Sequence, residues 1–388
     1  MPHVKVFPNT TVGRDITLQQ LQTAYTAVIL AYGAGKEKRL RLPPTPRLRT
    51  AKELVDWYNG FPTHEATSPI AERLKAARTV AIIGQGNVAA DCARLLLADP
   101  TTLAETDVPP AVLATLKESK VQKVLLIGRR GPCQLAMTTK ELRELVNLPN
   151  VRIEGDVDYI KESLAAHAAL LAKDRPRKRL TDLLLKAVTS PGEGKEKVLR
   201  FLFLASPKAV AEKKMVLQRT TLQGALGDAA RAVATNDNFD VEADLFIESL
   251  GSSVEAIDGV PFGQNVLARE DGQVVDDMQA VVPGLFACGW CRSGSAGVLL
   301  STMADAYRTA STVQAYLERL PEGEAKTENV TKGLKALTLA DWLAVEHAEA
   351  DLGASEGRTT AKMASMETLQ SLTSAKKTER VHNESPER

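Results

Sequence analysis

The sequence predicts an α/β fold with mostly parallel sheets, on three observations. Short, mainly apolar runs recur at residues 79–83, 124–127, 244–250 and 284–287, and each is followed by a glycine within two residues. Such runs suit strands covered on both faces. The runs at 79–83 and 124–127 are each followed by a segment with helical spacing, the alternation that parallel sheets need. The length of 388 residues favours two domains over one.

The elements follow in order. Residues 4–7 and 27–30 read as short strands, with a helix over 18–25 between them. Residues 35–49 are polar, basic and Pro-rich, a linker or crossover. A helix over 52–59 carries Trp57 and Tyr58 toward the core. The strand at 79–83 enters a Gly-rich turn and an apolar helix over 88–98. The strand at 124–127 ends in a turn, and a helix over 137–148 carries Glu141. Strands are expected at 198–204 and 215–222, a loop at 236–240, and further strands at 244–251 and 284–290. Residues 294–316 read as a loop feeding a helix. From residue 356 a polar tail, largely flexible, is expected, since its end buries too little apolar surface to order itself.

Composition narrows the function. With 49 Lys+Arg against 48 Asp+Glu the net charge is +1, which excludes a strongly basic nucleic-acid binder at the level of the whole chain. No run of about 18 apolar residues is present, so no membrane-spanning segment is expected. Cys92, Cys133, Cys288 and Cys291 are too few for a disulfide framework in a chain of this length. The first residues lack the apolar stretch of a targeting signal.

The most specific pattern is Gly84-x-Gly86-x-x-Ala89, set between a strand and a helix. Gly84 permits the tight turn, Gly86 lets the backbone approach a pyrophosphate, and Ala89 brings the helix close to the strand. The backbone around Gln85, Asn87 and Val88 then forms the helix N-terminus, which attracts phosphates. A tight turn with no ligand is the competing reading. At the end of the next strand an NAD site would carry Asp or Glu. Here stand Arg129 and Arg130, which suit the 2′-phosphate of NADP. Two solvated surface arginines are the alternative.

These residues resemble the adrenodoxin reductase family, the mitochondrial-type NADPH:ferredoxin reductases and their bacterial relatives. The resemblance rests on residues 80–89, Gly128-Arg-Arg-Gly-Pro132, residues 139–143, Arg175-Pro-Arg-Lys-Arg-Leu180 and Gly284-Leu-Phe-Ala-Cys-Gly-Trp290. Further matches are Val12-Gly-Arg-Asp15, Trp57-Tyr-Asn-Gly60 and Asp341-Trp342. It implies two Rossmann-like domains, with an NADP domain at 35–251 inserted in an FAD domain made of 1–34 and 252–355. The family's first FAD-binding glycine motif would lie upstream, so on this reading the chain starts partway into the flavin domain. The resemblance implies FAD contacts at Val12, Trp290, Gly297, Val298 and Leu299, with Gly297 where nicotinamide meets flavin. It implies NADP contacts at Gln85, Gly86, Asn87, Val88, Arg129, Arg130 and Glu141. Asp91 is a candidate to order water or loops near the flavin. The loop reads Trp290-Cys-Arg-Ser-Gly-Ser-Ala-Gly297, lacking a basic residue, a Pro and a Thr usual in the family. That looser loop puts flavin geometry in question.

Lys173, Arg175, Arg177, Lys178 and Arg179 form a basic run within seven residues. A solvated charged loop or helix start is one reading. The resemblance implies that Arg143, Arg175 and Arg179, with Arg177 and Lys178 beside them, dock an acidic [2Fe–2S] ferredoxin. No aromatics interleave the run, so RNA is not the expected partner. Cys288 and Cys291 form a C-x-x-C, expected as a buried structural Cys288 beside an incidental Cys291. No zinc-like spacing accompanies them. The expected function is a monomeric, FAD-dependent NADPH:ferredoxin reductase, mitochondrial in a eukaryote and cytoplasmic otherwise. The alternatives are an NADP-binding fragment or pseudoenzyme without flavin, and a flavin disulfide oxidoreductase using Cys288 and Cys291.

Overall fold

The computed structural model describes residues 4–62, 69–224, 230–295, 297, 299–321, 326, 337–363 and 365–373. The chain divides into two compact units. One is Arg39–Leu250 with Glu346–Ser371, and the other is Met1–Lys38, Gly251–Val345 and Leu372–Arg388.

The larger unit is built on a six-stranded sheet in which every pairing is parallel. Its order is Leu48–Thr50, Leu245–Glu248, Thr79–Ile83, Lys123–Ile127, Lys197–Leu202, Val151–Glu154. The runs at Thr79–Ile83 and Lys123–Ile127 are buried at four of five positions each, because both faces of the sheet are covered. On one face Val80, Ile82, Val124, Leu126, Leu199 and Phe201 join a core with the helices Asn87–Leu97, Thr139–Val146 and Arg175–Thr189. On the other, Ala81, Ile83, Leu125, Ile127 and Phe246 meet Met215, Leu217 and Val241. Those three come from an antiparallel sheet of Ala205–Ala211, Lys214–Gln223 and Arg231–Glu242.

That antiparallel layer corrects the loop expected at 236–240, which lies within the strand Arg231–Glu242. The register shifts between Ala234 and Asn238. The bulge places the polar residues 235–237 off the ladder, so a strand there reads as a turn. Thr235 Oγ1 donates to Arg219 O at 3.1 Å and holds the bulge to its neighbour.

The smaller unit holds a three-stranded sheet, ordered Val28–Leu30, Val281–Ala287, Gln273–Val275. Its first pair is parallel and its second antiparallel. Leu30, Val274, Leu285, Ala287 and Cys291 form its centre. A helix at Leu18–Ala24 starts with a capping box between Thr17 and Gln20. The strand expected at 4–7 is absent, and Val4 and Val6 are exposed. No strand among the described residues pairs with it, and two apolar side chains alone cannot order an extended segment.

The first part of the expected polar tail is tied down. Arg358 donates to Thr106 O and Val108 O. Lys362 pairs with Asp107 at 2.8 Å. Ala361 is fully buried and donates its N–H to Glu349 O at 2.9 Å. One guanidinium on two backbone carbonyls does here what the polar composition did not suggest. Arg358→Ala is expected to cost about 1–3 kcal/mol of local stability, read as faster amide exchange over residues 356–363. Exchange unchanged from the wild type would show that the strap holds without Arg358.

Candidate functional site

The strand Thr79–Ile83 runs into Gly84, whose φ is +140°. A Cβ at this position would stand 2.2 Å from Ser249 O. Its N–H donates to Ile127 O at 2.9 Å, and Ser249 N donates to Ile83 O at 2.8 Å. The turn is therefore wedged between the ends of two neighbouring strands. Gly86 is the N-cap of the helix Asn87–Leu97, and no side chain caps that end. A Cβ at Gly86 would meet nothing within 4 Å, so the ground before the helix end is open to an anion. Ala89 is fully buried beneath it, which lets helix and sheet approach. Val88 is exposed.

Gln85 and Asn87 act inward through their side chains. Gln85 Nε2 donates to Leu126 O at 2.9 Å and Leu202 O at 3.1 Å, clasping two strand ends. Its amide occupies the space a Cβ on Gly128 would need, 2.1 Å from Gln85 Oε1. Asn87 Oδ1 accepts from Thr138 N at 2.9 Å. Gln85 Nε2 and Asn87 Oδ1 are thus engaged within the fold.

The next strand delivers Arg129, exposed, and Arg130, half-buried. Their turn is stapled to the antiparallel sheet: Thr220 Oγ1 donates to Arg129 O at 2.7 Å, and Ala205 N to Gly128 O at 3.0 Å. Glu141 stands in the first turn of Thr139–Val146. Its Oε2 is buried without a hydrogen-bond partner in the protein, an unmet acceptor that a ribose hydroxyl would satisfy. An uncapped helix end, two arginines and an unmet acceptor suit the pyrophosphate, 2′-phosphate and ribose of NADP. Asp91 does not join them. It pairs with Arg94 at 3.1 Å, and Arg94 reaches Glu144 at 3.6 Å, so it ties two helices together.

The basic run opens the helix Arg175–Thr189, capped by Asp174. Arg175, Lys178 and Arg179 are exposed there, as is Arg143 on the adjoining helix Thr139–Val146. Lys178 pairs with Asp182 at 2.6 Å. Arg177 departs from the expected docking role. Its side chain is 15% exposed, and Nη1 donates to Cys133 O while Nε meets Asp174 at 3.1 Å. The helix turns about 100° per residue, so Arg177 faces away from Arg175 and Arg179.

In the smaller unit, the one-turn helix Trp290–Ser293 is bracketed by Gly289 at φ +69° and Gly294 at φ +78°. Trp290 is 40% exposed. Asp305 holds the turn, accepting from Gly289 N at 2.7 Å and from Arg292. Burial alone would raise its carboxyl, but the Arg292 and Gly289 donors bring it below the usual carboxylate range. Gly297 and Leu299 follow, both exposed. This open apolar surface suits a flavin ring. Val298 lies outside the described residues. Val12 is half-buried in a tight turn where Gly13 N donates to Ile16 O at 2.7 Å.

The two cysteines exchange their expected roles. Cys291 is fully buried, with Sγ on Leu30 O and Cys288 O at 3.1 Å each, while Cys288 is half-buried. The helical turn rotates Cys291 under the sheet. Burial pushes both thiols up, away from the thiolate that dithiol exchange needs. Asp305, Thr220 and the inward role of Arg177 were not visible in the sequence, since each depends on a partner distant in the chain.

Two glycine variants separate fold from ligand. Gly86→Ala is expected to cost about 1 kcal/mol or less in stability but to weaken NADP+ binding about tenfold or more, measured by calorimetry. Gly84→Ala is expected to cost about 3 kcal/mol or more, seen as a lowered unfolding midpoint. Equal effects from the two would contradict this division.

Comparison with known proteins places this geometry. No family model matches the chain. The mitochondrial NADPH:adrenodoxin oxidoreductase of Salvelinus fontinalis is 36% identical over 386 residues, covering 92% of this chain and 74% of that protein. That of Bos taurus is 36% identical over 392 residues, covering 92% and 76%. The NADPH-ferredoxin reductase FprA of Mycobacterium tuberculosis is 32% identical over 395 residues, covering 95% and 83%. Its solved structure in complex with NADPH superposes with a TM-score of 0.85 at 29% identity, covering 96% of this chain and 84% of that one. The turns described above thus sit on a two-Rossmann-domain framework, and the chain belongs to the family of NADPH:adrenodoxin oxidoreductases.

Proposed function

We propose that the chain is an FAD-dependent NADPH:ferredoxin oxidoreductase, passing electrons from NADPH to a [2Fe–2S] ferredoxin. The observation that carries this reading is the open, uncapped helix end at Gly86, together with Arg129 and Arg130 at the end of the adjoining strand. The relatives named for NADPH and for adrenodoxin or ferredoxin supply the chemistry.

The roles follow from local physics. Backbone N–H groups at the start of Asn87–Leu97 would take the pyrophosphate. Arg129 and Arg130 would pair with the 2′-phosphate, where NADH offers only a hydroxyl. Glu141 would accept from a ribose hydroxyl. In the smaller unit, the turn from Trp290 and the backbone at Gly297 would lie against the flavin. FAD supplies the conversion of a two-electron hydride into single electrons. This chain's residues position and shield, and none is asked to act as acid or base. The domain limits of 35–251 for NADP, and 1–34 with 252–355 for FAD, remain part of this proposal.

The exposed Arg143, Arg175, Lys178 and Arg179 form the proposed ferredoxin-docking face. On a near-neutral chain, such a local patch speeds encounter with an acidic partner. No helix of the described residues is long and apolar enough to cross a membrane. The proposed location is the mitochondrial matrix in a eukaryote and the cytoplasm otherwise.

A visible spectrum of the purified chain tests the reading first. A flavin band that bleaches with NADPH, and far less readily with NADH, is expected. A colourless protein that takes up no added FAD would leave a nucleotide-binding module and sink the reductase reading. Arg129→Ala with Arg130→Ala is expected to weaken NADP+ binding about 10- to 100-fold. Arg175→Glu with Arg179→Glu is expected to raise KM for ferredoxin and flatten its salt dependence.

A further inference from the structure

We infer that Arg177 and Thr220 are positioning residues that set the preference for NADP over NAD, acting through the turn that carries Arg129 and Arg130. The inference rests on the proposed 2′-phosphate site.

Arginine side chains confer selectivity only if their backbone is held. The turn leaves the strand Lys123–Ile127 and enters the short 3-10 helix Pro132–Gln134. Its two ends are fixed by donors from elsewhere in the chain. At the near end Thr220, 5% exposed, donates Oγ1 to Arg129 O at 2.7 Å. At the far end Arg177 donates Nη1 to Cys133 O. Asp174 aims that guanidinium, accepting from Arg177 N at 3.0 Å and Nε at 3.1 Å.

Between the two ends the turn is closely packed at Gly131. A Cβ on Gly131 would stand 2.8 Å from the Tyr159 hydroxyl and 3.0 Å from Gln134 Oε1. Behind them, Gln134 Nε2 lies 3.2 Å from His167 Nε2, and His167 Nδ1 lies 2.7 Å from Ser163 O. His167 therefore donates through Nδ1 and accepts through Nε2. The residues Arg129 to Cys133 are held at both carbonyl ends and from behind. A pre-ordered turn loses little entropy when its guanidiniums engage a dianion. Displacement by about 1 Å would forfeit much of a fork-like contact. NAD lacks the phosphate and gains nothing from this order.

The experiment measures NADP+ and NAD+ binding by calorimetry on the full chain and its variants. Arg177→Ala and Thr220→Val are each expected to raise the Kd for NADP+ about tenfold, leaving that for NAD+ within about twofold. Arg177→Lys, which keeps the charge but cannot hold Asp174 and Cys133 O at once through separate nitrogens, is expected to fall between. Equal weakening of both nucleotides would mark a purely structural role and overturn the inference, as would an unchanged NADP+ affinity. Should Arg177→Ala fail to fold, Thr220→Val carries the test alone, since it removes a hydroxyl and keeps the β-branched shape. A wild-type chain that binds both nucleotides alike would instead refute the underlying 2′-phosphate site, whatever the variants do.

Discussion

The larger unit depends on one close approach, that of the Gly84 backbone to Ser249 O. Three strands, Thr79–Ile83, Lys123–Ile127 and Leu245–Glu248, end at nearly one level. The chain can leave the first of them only through the gap between the others. A side chain at position 84 would collide with the carbonyl of Ser249, a residue whose own N–H is bonded to Ile83 O. Because glycine passes, the helix Asn87–Leu97 starts directly over the sheet. Its N-terminus then opens above the strand ends. Gln85 and Asn87 tie this arrangement to the second strand and the second helix. The anion-binding end and the arginine turn therefore share one frame.

Much of this was legible because it is local. The Gly84–Ala89 pattern needs only a strand before it and a helix after it, and both are where the periodicity put them. The family was legible for the same reason, through short motifs spread along the chain. What was not legible depends on partners distant in sequence. Arg177 reads as one more cation in a basic run, and only the helical rotation and the Cys133 carbonyl turn it inward. Cys288 and Cys291 could not be told apart by spacing, because a single helical turn decides which is buried. The bulged strand Arg231–Glu242 read as a loop because its polar residues sit where the ladder is interrupted. Residues 356–363 read as tail because their anchors, Arg358 on two carbonyls, Lys362 on Asp107 and the Ala361 N–H on Glu349 O, are single contacts to other segments.

A design shared by the two units lies behind these details. In each, a glycine-bearing turn that the proposed function sets beside nucleotide or flavin is gripped from behind by a largely buried charged group. In the larger unit the grip is Arg177 on Cys133 O, aimed by Asp174. In the smaller unit it is Asp305 on Gly289 N, neutralised by Arg292. A buried charge stays ionised only when it is paired and hydrogen-bonded, and both groups satisfy that condition. The grip falls on main-chain atoms, and Arg129 and Trp290 stay exposed. For a protein whose task is to position two cofactors, order imposed from behind leaves the front free for binding. Arg177 and Asp305 thus act from behind on the turns from which Arg129, Arg130 and Trp290 project.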